Sequence, residues 1–217
     1  MPEKTLRIDV PGAAAITAIQ TPGAKPSGWT FVYAPGASAG VNDPFGIHAA
    51  GALAERGVTT VRFQFPYKEA GRSAPDRPAV LEATWRAVID AVRPKEGKLC
   101  IGGRSMGGRI GSMVHAGGVA VDALALFAYP LHPPGKPEQP RTEHLPGIKA
   151  RTLFVSGTND AFASPEELRA AAALVKRSSV HVLEGADHGF SVKKSSGRTK
   201  TDVYDECVGV LVRWLKP

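Results

Sequence analysis

Residues 98–114, KLCIGGRSMGGRIGSMV, decide how the chain is read. An apolar run, Leu99 to Gly103, breaks into glycines and resumes as Ile110, Met113 and Val114 at helical spacing. A strand passing sharply into a helix gives that change of period. At the break, Gly103-Arg104-Ser105-Met106-Gly107 has the pattern G-x-S-x-G. A tight strand-to-helix turn holds a serine in a strained conformation and presents its hydroxyl at the top of a sheet. Glycines on either side let the backbone pass closely. The helix start behind the serine favours negative charge. Ser105 is therefore a candidate nucleophile.

Outward from this stretch, β-rich runs alternate with helical ones. Candidate strands are TLRIDV, AAITAI, WTFVYA, VTTVRFQF, KLCIGG, VDALALFAY, RTLFVSG and SVHVLEG. Several are apolar on both faces, as strands covered from both sides are. Helix ends are marked. Asp43 and Pro44 open one helix and Gly57 stops it. DRPAVLEATWRAVIDAVRP carries Val80, Leu81, Trp85, Val88 and Ile89 at helical spacing and ends at Pro94. Ser164, Pro165 and Glu167 make a capping box. Val203, Cys207, Val210, Leu211 and Trp214 share a face of the last helix. The fold class is α/β, with a mostly parallel, doubly wound sheet and an antiparallel N-terminal edge. Residues 130–150, PLHPPGKPEQPRTEHLPGIKA, are proline-rich and aperiodic, and read as a long surface loop with no separate lid domain.

At 217 residues a single domain, 1–217, is expected. Apolar residues make up 43% and charged residues 22%, ordinary for a soluble protein. No apolar run approaches the length of a membrane span. MPEKTLRIDV has no signal-peptide pattern, so a cytoplasmic chain is expected. Cys100 and Cys207 lack metal-ligand spacing and read as reduced core residues. The net charge of +7 raises nucleic-acid binding. The basic residues are scattered, however, with no arginine-rich arm, so a solvated surface is expected.

A serine needs a base, and the base needs an orienting acid. Two later strand ends supply them. Asp160 follows RTLFVSGTN, 55 residues after Ser105, and His188 follows SVHVLEGAD, another 28 on. Both fall at carboxyl ends of strands, where open parallel sheets place their ligands. The other histidines suit bland roles: His48, His115 and His181 lie inside elements, and His132 and His144 in the proline-rich loop read as solvent-exposed. Asp187 adjoins His188 too closely to orient it. Glu184 is a weaker alternative acid, and Glu166 and Glu167 suit a helix start. Oxyanion donors are expected from the amides of Met106 and of Ala37, in PGASAG after WTFVYA. Phe65 and Tyr67, in FPYKEAGRSAPDRP, are candidate walls of an acyl pocket. Lys193, Lys194, Arg198 and Lys200 follow His188 as a basic rim or a solvated charge run. Arg104 and Arg109 flank Ser105 and suit either a structural role or a substrate carboxylate.

With YAPGASAGVNDPF, VRFQFPY, GGRSMGGR, SGTNDAF, GADHGF and SSGRT in place, the sequence resembles small α/β-hydrolases of the dienelactone-hydrolase-like kind. More narrowly, it is similar to the hydrolase domain shared by a testis-expressed protein and a subunit of a chromatin acetyltransferase complex. The resemblance spans about residues 31–200. It implies a serine hydrolase with Ser105, Asp160 and His188 as catalytic triad. The family's oxyanion loop usually begins His-Gly. Here Pro35-Gly36 keeps the backbone donor without a histidine to stiffen the loop. The expected activity is cleavage of an ester or thioester of a small acyl substrate, with no metal or cofactor. Because some members of the group look like binding subunits, the alternative is a non-catalytic hydrolase-fold module that binds a partner protein; the complete triad argues against it.

Overall fold

The computed structural model describes residues 2–216. Its strands are β1 (Lys4–Ile8), β2 (Ile16–Thr21), β3 (Trp29–Ala34), β4 (Thr59–Phe63), β5 (Lys98–Arg104), β6 (Ala123–Phe127), β7 (Arg151–Asn159) and β8 (Ser178–Asp187). They form one open sheet in the order β1-β2-β4-β3-β5-β6-β7-β8. β1 pairs antiparallel with β2, and β2 with β4, as the closely spaced opening runs suggested. The remaining pairs are parallel.

Helices cover both faces: α1 (Pro44–Glu55), α2 (Pro66–Glu69), α3 (Pro78–Val92), α4 (Met106–Ala116), α5 (Pro165–Ala173) and α6 (Lys200–Leu215). Along β3 the side chains alternate between two cores, as the two-residue period requires. Val32 and Ala34 pack with Trp85, Ile110 and Leu168 of α3, α4 and α5. Phe31 and Tyr33 pack with Phe45, Leu53, Val203 and Cys207 of α1 and α6. β6 is buried at every residue, whereas the edge strand β1 is mostly exposed. Both cysteines are buried and unpaired, and burial pushes their thiols up.

The marked helix ends form as read. The Asp43 carboxylate accepts from Gly46 N–H at 3.1 Å, and the capping box of Ser164 and Glu167 opens α5. α5 ends at Ala173, just before Leu174 and Val175. α2, a single turn starting at Pro66, was not anticipated; its Glu69 reaches back to bond Thr17 of β2.

The segment 130–150 differs from the expected exposed loop. It carries only one short 3₁₀ turn, Leu145–Gly147, in place of a lid, yet Leu131, Leu145 and Ile148 are buried under it. His132 is also buried and His144 half-buried, so neither has the solvent-facing role expected of it. Apolar anchors at irregular spacing carry no periodic signal, which is why the segment reads as surface. Among the described residues no helix is long and apolar enough to cross a membrane.

Candidate active site

The site is built where β5 gives way to α4. Ser105 sits between them at φ 50° and ψ −123°, a conformation that costs a non-glycine residue about 1–3 kcal/mol. Its neighbours enforce the turn. Gly103 is at φ +150°, and a Cβ there would lie 2.0 Å from the Ala34 carbonyl oxygen; one at Gly107 would lie 2.4 Å from that of Pro35. Both approaches are impossible for any residue but glycine. The Ser105 N–H donates to the Phe127 carbonyl at 2.8 Å, which ties the turn to β6.

Two loops beyond later strands deliver the partners. His188 Nε2 lies 2.9 Å from Ser105 Oγ. Its Nδ1 lies 2.9 and 3.0 Å from the two carboxylate oxygens of Asp160. The Asp160 side chain is fully buried, and buried carboxylates need donors. Ser156 Oγ supplies one at 2.7 Å and the Phe162 N–H another at 2.9 Å. Phe162 also stacks on the His188 imidazole, centroid to centroid 4.0 Å. Asp187 fixes the turn that carries His188, its carboxylate accepting from the N–H groups of Gly189 and Ser191, both at 2.8 Å. His188 keeps 24% of its side chain exposed, so the imidazole is within reach of a small molecule.

The Met106 N–H stands at the first position of α4, where a helix offers no internal acceptor. Ala37 lies in the turn after β3, closed by Ala39 N–H bonding to the Gly36 carbonyl. Among the described residues neither the Met106 nor the Ala37 amide donates to a protein acceptor. A Cβ at Gly36 would sit 3.7 Å from that of Ser105, so the turn lies directly against the serine.

Phe65 and Tyr67 are placed differently from the expected pocket walls. Both are fully buried, their rings stacked at 6.2 Å. The Tyr67 hydroxyl donates to the Ala37 carbonyl at 2.6 Å, a brace on the turn that lacks a stiffening histidine. Burial, then the nearby Asp76, raises this phenol to about 12, so it stays a donor across the neutral range. Arg104 also packs against Gly36 and reaches 3.5 Å from the buried Asp43 carboxylate.

The remaining candidates stand apart from Ser105. His48 bonds Asp205 and His181 bonds Glu206. His115 accepts from the N–H groups of Lys149 and Ala150. Glu184 is exposed. In the basic run, Arg198 is tied to Glu206 and to the Glu184 carbonyl, while Lys193, Lys194 and Lys200 are exposed.

The sequence pattern of the alpha/beta hydrolase domain family matches residues 27–216. The chain belongs to that family. Solved structures of the same fold include an alpha-beta serine hydrolase homologue from Coxiella burnetii, with TM-score 0.78, 22% identity and coverage of 99% of this chain and 98% of that one. An a/b serine hydrolase without lid from Xanthomonas campestris matches with TM-score 0.76 and 20% identity over 100% and 98% of the two chains. A dienelactone hydrolase from Anabaena variabilis matches with TM-score 0.71 and 17% identity over 96% and 95%.

Against the sequence reading of this alpha/beta hydrolase, three residues are additions: Ser156, Phe162 and the buttressing role of Tyr67. Ser156 and Phe162 sit in the stretch SGTNDAF beside Asp160, but nothing in their spacing assigns them to the histidine.

Proposed function

We propose that the protein is a serine hydrolase that cleaves an ester or thioester of a small acyl substrate. The observation that carries this reading is the unbroken chain of contacts from Ser105 Oγ through His188 to the buried Asp160, at 2.9, 2.9 and 3.0 Å. Ser105, His188 and Asp160 then act as catalytic triad. Ser105 Oγ attacks the acyl carbonyl while its proton passes to His188 Nε2. The Met106 and Ala37 amides stabilise the oxyanion of the tetrahedral intermediate. As that collapses, the leaving alcohol or thiol takes the proton from His188, leaving an acyl-serine. Water then attacks the acyl carbon with His188 as base, and the acid departs as the Ser105 hydroxyl is restored. Asp160 holds the imidazole's tautomer throughout.

The mechanism uses no metal or cofactor. It treats residues 1–217 as one domain acting on a small molecule in the cytoplasm. The motifs YAPGASAGVNDPF, VRFQFPY, GGRSMGGR, SGTNDAF, GADHGF and SSGRT together favour a narrower kinship with the testis-expressed and chromatin-acetyltransferase-subunit hydrolase domains.

Labelling with a fluorophosphonate probe, beside folded Ser105→Ala and His188→Ala variants, is the test. Labelling of the wild type that disappears in both variants is the expected result. A folded wild type that stays unlabelled overturns the reading in favour of a partner-binding module.

A further inference from the structure

Where the 130–150 segment meets α4, a second group of polar side chains takes no part in the reaction above. Arg109 lies one helical turn beyond Ser105, its N–H donating to the Ser105 carbonyl at 3.0 Å. Its guanidinium is half-buried. One nitrogen, Nη1, contacts the Met113 sulfur at 3.3 Å, and Nε is buried with no acceptor. Among the described residues no carboxylate comes within 4.0 Å of Arg109 or of Arg141. Buried charges in proteins are paired and hydrogen-bonded, because leaving water otherwise carries a large penalty. This arginine is charged and, among the described residues, has the Met113 sulfur but no carboxylate as a side-chain partner.

The guanidinium borders a cavity of about 180 Å³ lined by Arg109, Met113, Pro140, Arg141, Glu143 and His144. His144 is held by Ser112 Oγ at 2.8 Å and lies 3.4 Å from the Tyr129 hydroxyl. Burial, then the charge of Arg109, lowers its pKa to about 4, so it is neutral at pH 7. With His144 neutral, Glu143 offsets one of the two arginines and the cavity keeps one net positive charge. Burial also lowers the pKa of Arg109 itself; Tyr129 offsets part of this and Arg141 adds to it. A second cation thus lines the same small cavity as the first.

We propose that this cavity binds a small oxyanion, a carboxylate or phosphate group gripped between Arg109 of α4 and Arg141 of the proline-rich segment. The planar fork of arginine matches both groups. An anion here gives the accessible part of the Arg109 guanidinium a charged acceptor and relieves the repulsion between the two cations. It also fastens residues 140–144 to the helix that carries Ser105 at its start. The inference stands whether or not Ser105 is catalytic.

The full chain is titrated calorimetrically with inorganic phosphate and, separately, with acetate, at constant ionic strength. Wild type is compared with Arg109→Met, Arg141→Met and Ser105→Ala. Saturable one-to-one binding in wild type and Ser105→Ala, weakened tenfold or more in both arginine variants, is the expected result. The tighter of the two probes identifies the anion class. Should Arg109→Met not fold, Arg141→Met, on the partly exposed segment, carries the comparison. No saturable binding of either anion, or binding unchanged in the arginine variants, overturns the proposal. Loss of fluorophosphonate labelling has no bearing on it, because Ser105→Ala keeps the anion site.

Discussion

The two sides of α4 are held by opposite means. At its start the backbone does the work: a strained Ser105, and two glycines where any added Cβ would lie 2.0 and 2.4 Å from carbonyl oxygens. One turn on, side chains join the helix to a segment with almost no regular structure: Ser112 Oγ donates to the Arg109 carbonyl and bonds His144 at 2.8 Å. A backbone-built site is rigid and tolerates no extra atoms. A side-chain-built site accepts substitution, and its properties follow protonation and bound charge.

The largest test of that contrast is at Asp160. Asp160→Asn leaves the elbow intact and takes the orienting charge from His188. On the proposed triad, an ester turnover about 10⁴-fold below wild type is expected, the loss this substitution brings in a Ser-His-Asp triad, with an unchanged circular dichroism spectrum. Next is the elbow itself. Gly103→Ala forces a methyl into the Ala34 carbonyl at a positive φ, so a loss of roughly 4 kcal/mol or more in denaturant melts is expected. A folded, fully stable Gly103→Ala protein would break the idea that backbone contacts alone define this end.

Tyr67→Phe removes the brace on the Ala37 carbonyl. It should cost about 1 kcal/mol of stability. On the proposed oxyanion role of the Ala37 amide, it should also lower kcat with little change in KM. The smallest effect belongs to the side-chain end. The His144 pKa in the fold, about 4, lies below its ordinary 6.5. The unfolded chain therefore binds the extra proton between those values, and stability falls as pH drops through that window. His144→Gln should flatten this slope in urea melts run from pH 7 to pH 4, while melts near neutrality move little.

Much of the frame was legible because local signals agree with the global fold. WTFVYA is β3 residue for residue, Asp43 and Ser164 cap the helices they precede, and the strand–glycine–helix change around Ser105 is the elbow. Chain order and strand ends point to Asp160 and His188, and the structure sets His188 against Ser105 and Asp160 against His188. What stayed hidden depends on contacts across the sheet. Tyr67 reads as a wall of an acyl pocket after a strand, but α2 turns its ring inward and its hydroxyl onto Ala37, 30 residues away. His144 and Arg109 are 35 residues apart and share no periodicity, so their cavity is invisible until the chain is folded. Phe162 is two residues past the acid, and only the tertiary path of the loop lays its ring on the histidine.

That stacked ring has a spectroscopic consequence. The chain has six histidines. His188 lies under an aromatic ring at 4.0 Å, whereas the Tyr204 and Tyr129 rings stand 5.5 and 6.5 Å from His48 and His144 and are tilted. The ring current of Phe162 should carry the carbon-bound imidazole protons of His188 upfield of their counterparts. In Phe162→Leu those resonances should return to the ordinary range. The imidazole beside Ser105 can therefore be followed by proton NMR, in water and without substrate, as a resolved signal that reports its own protonation.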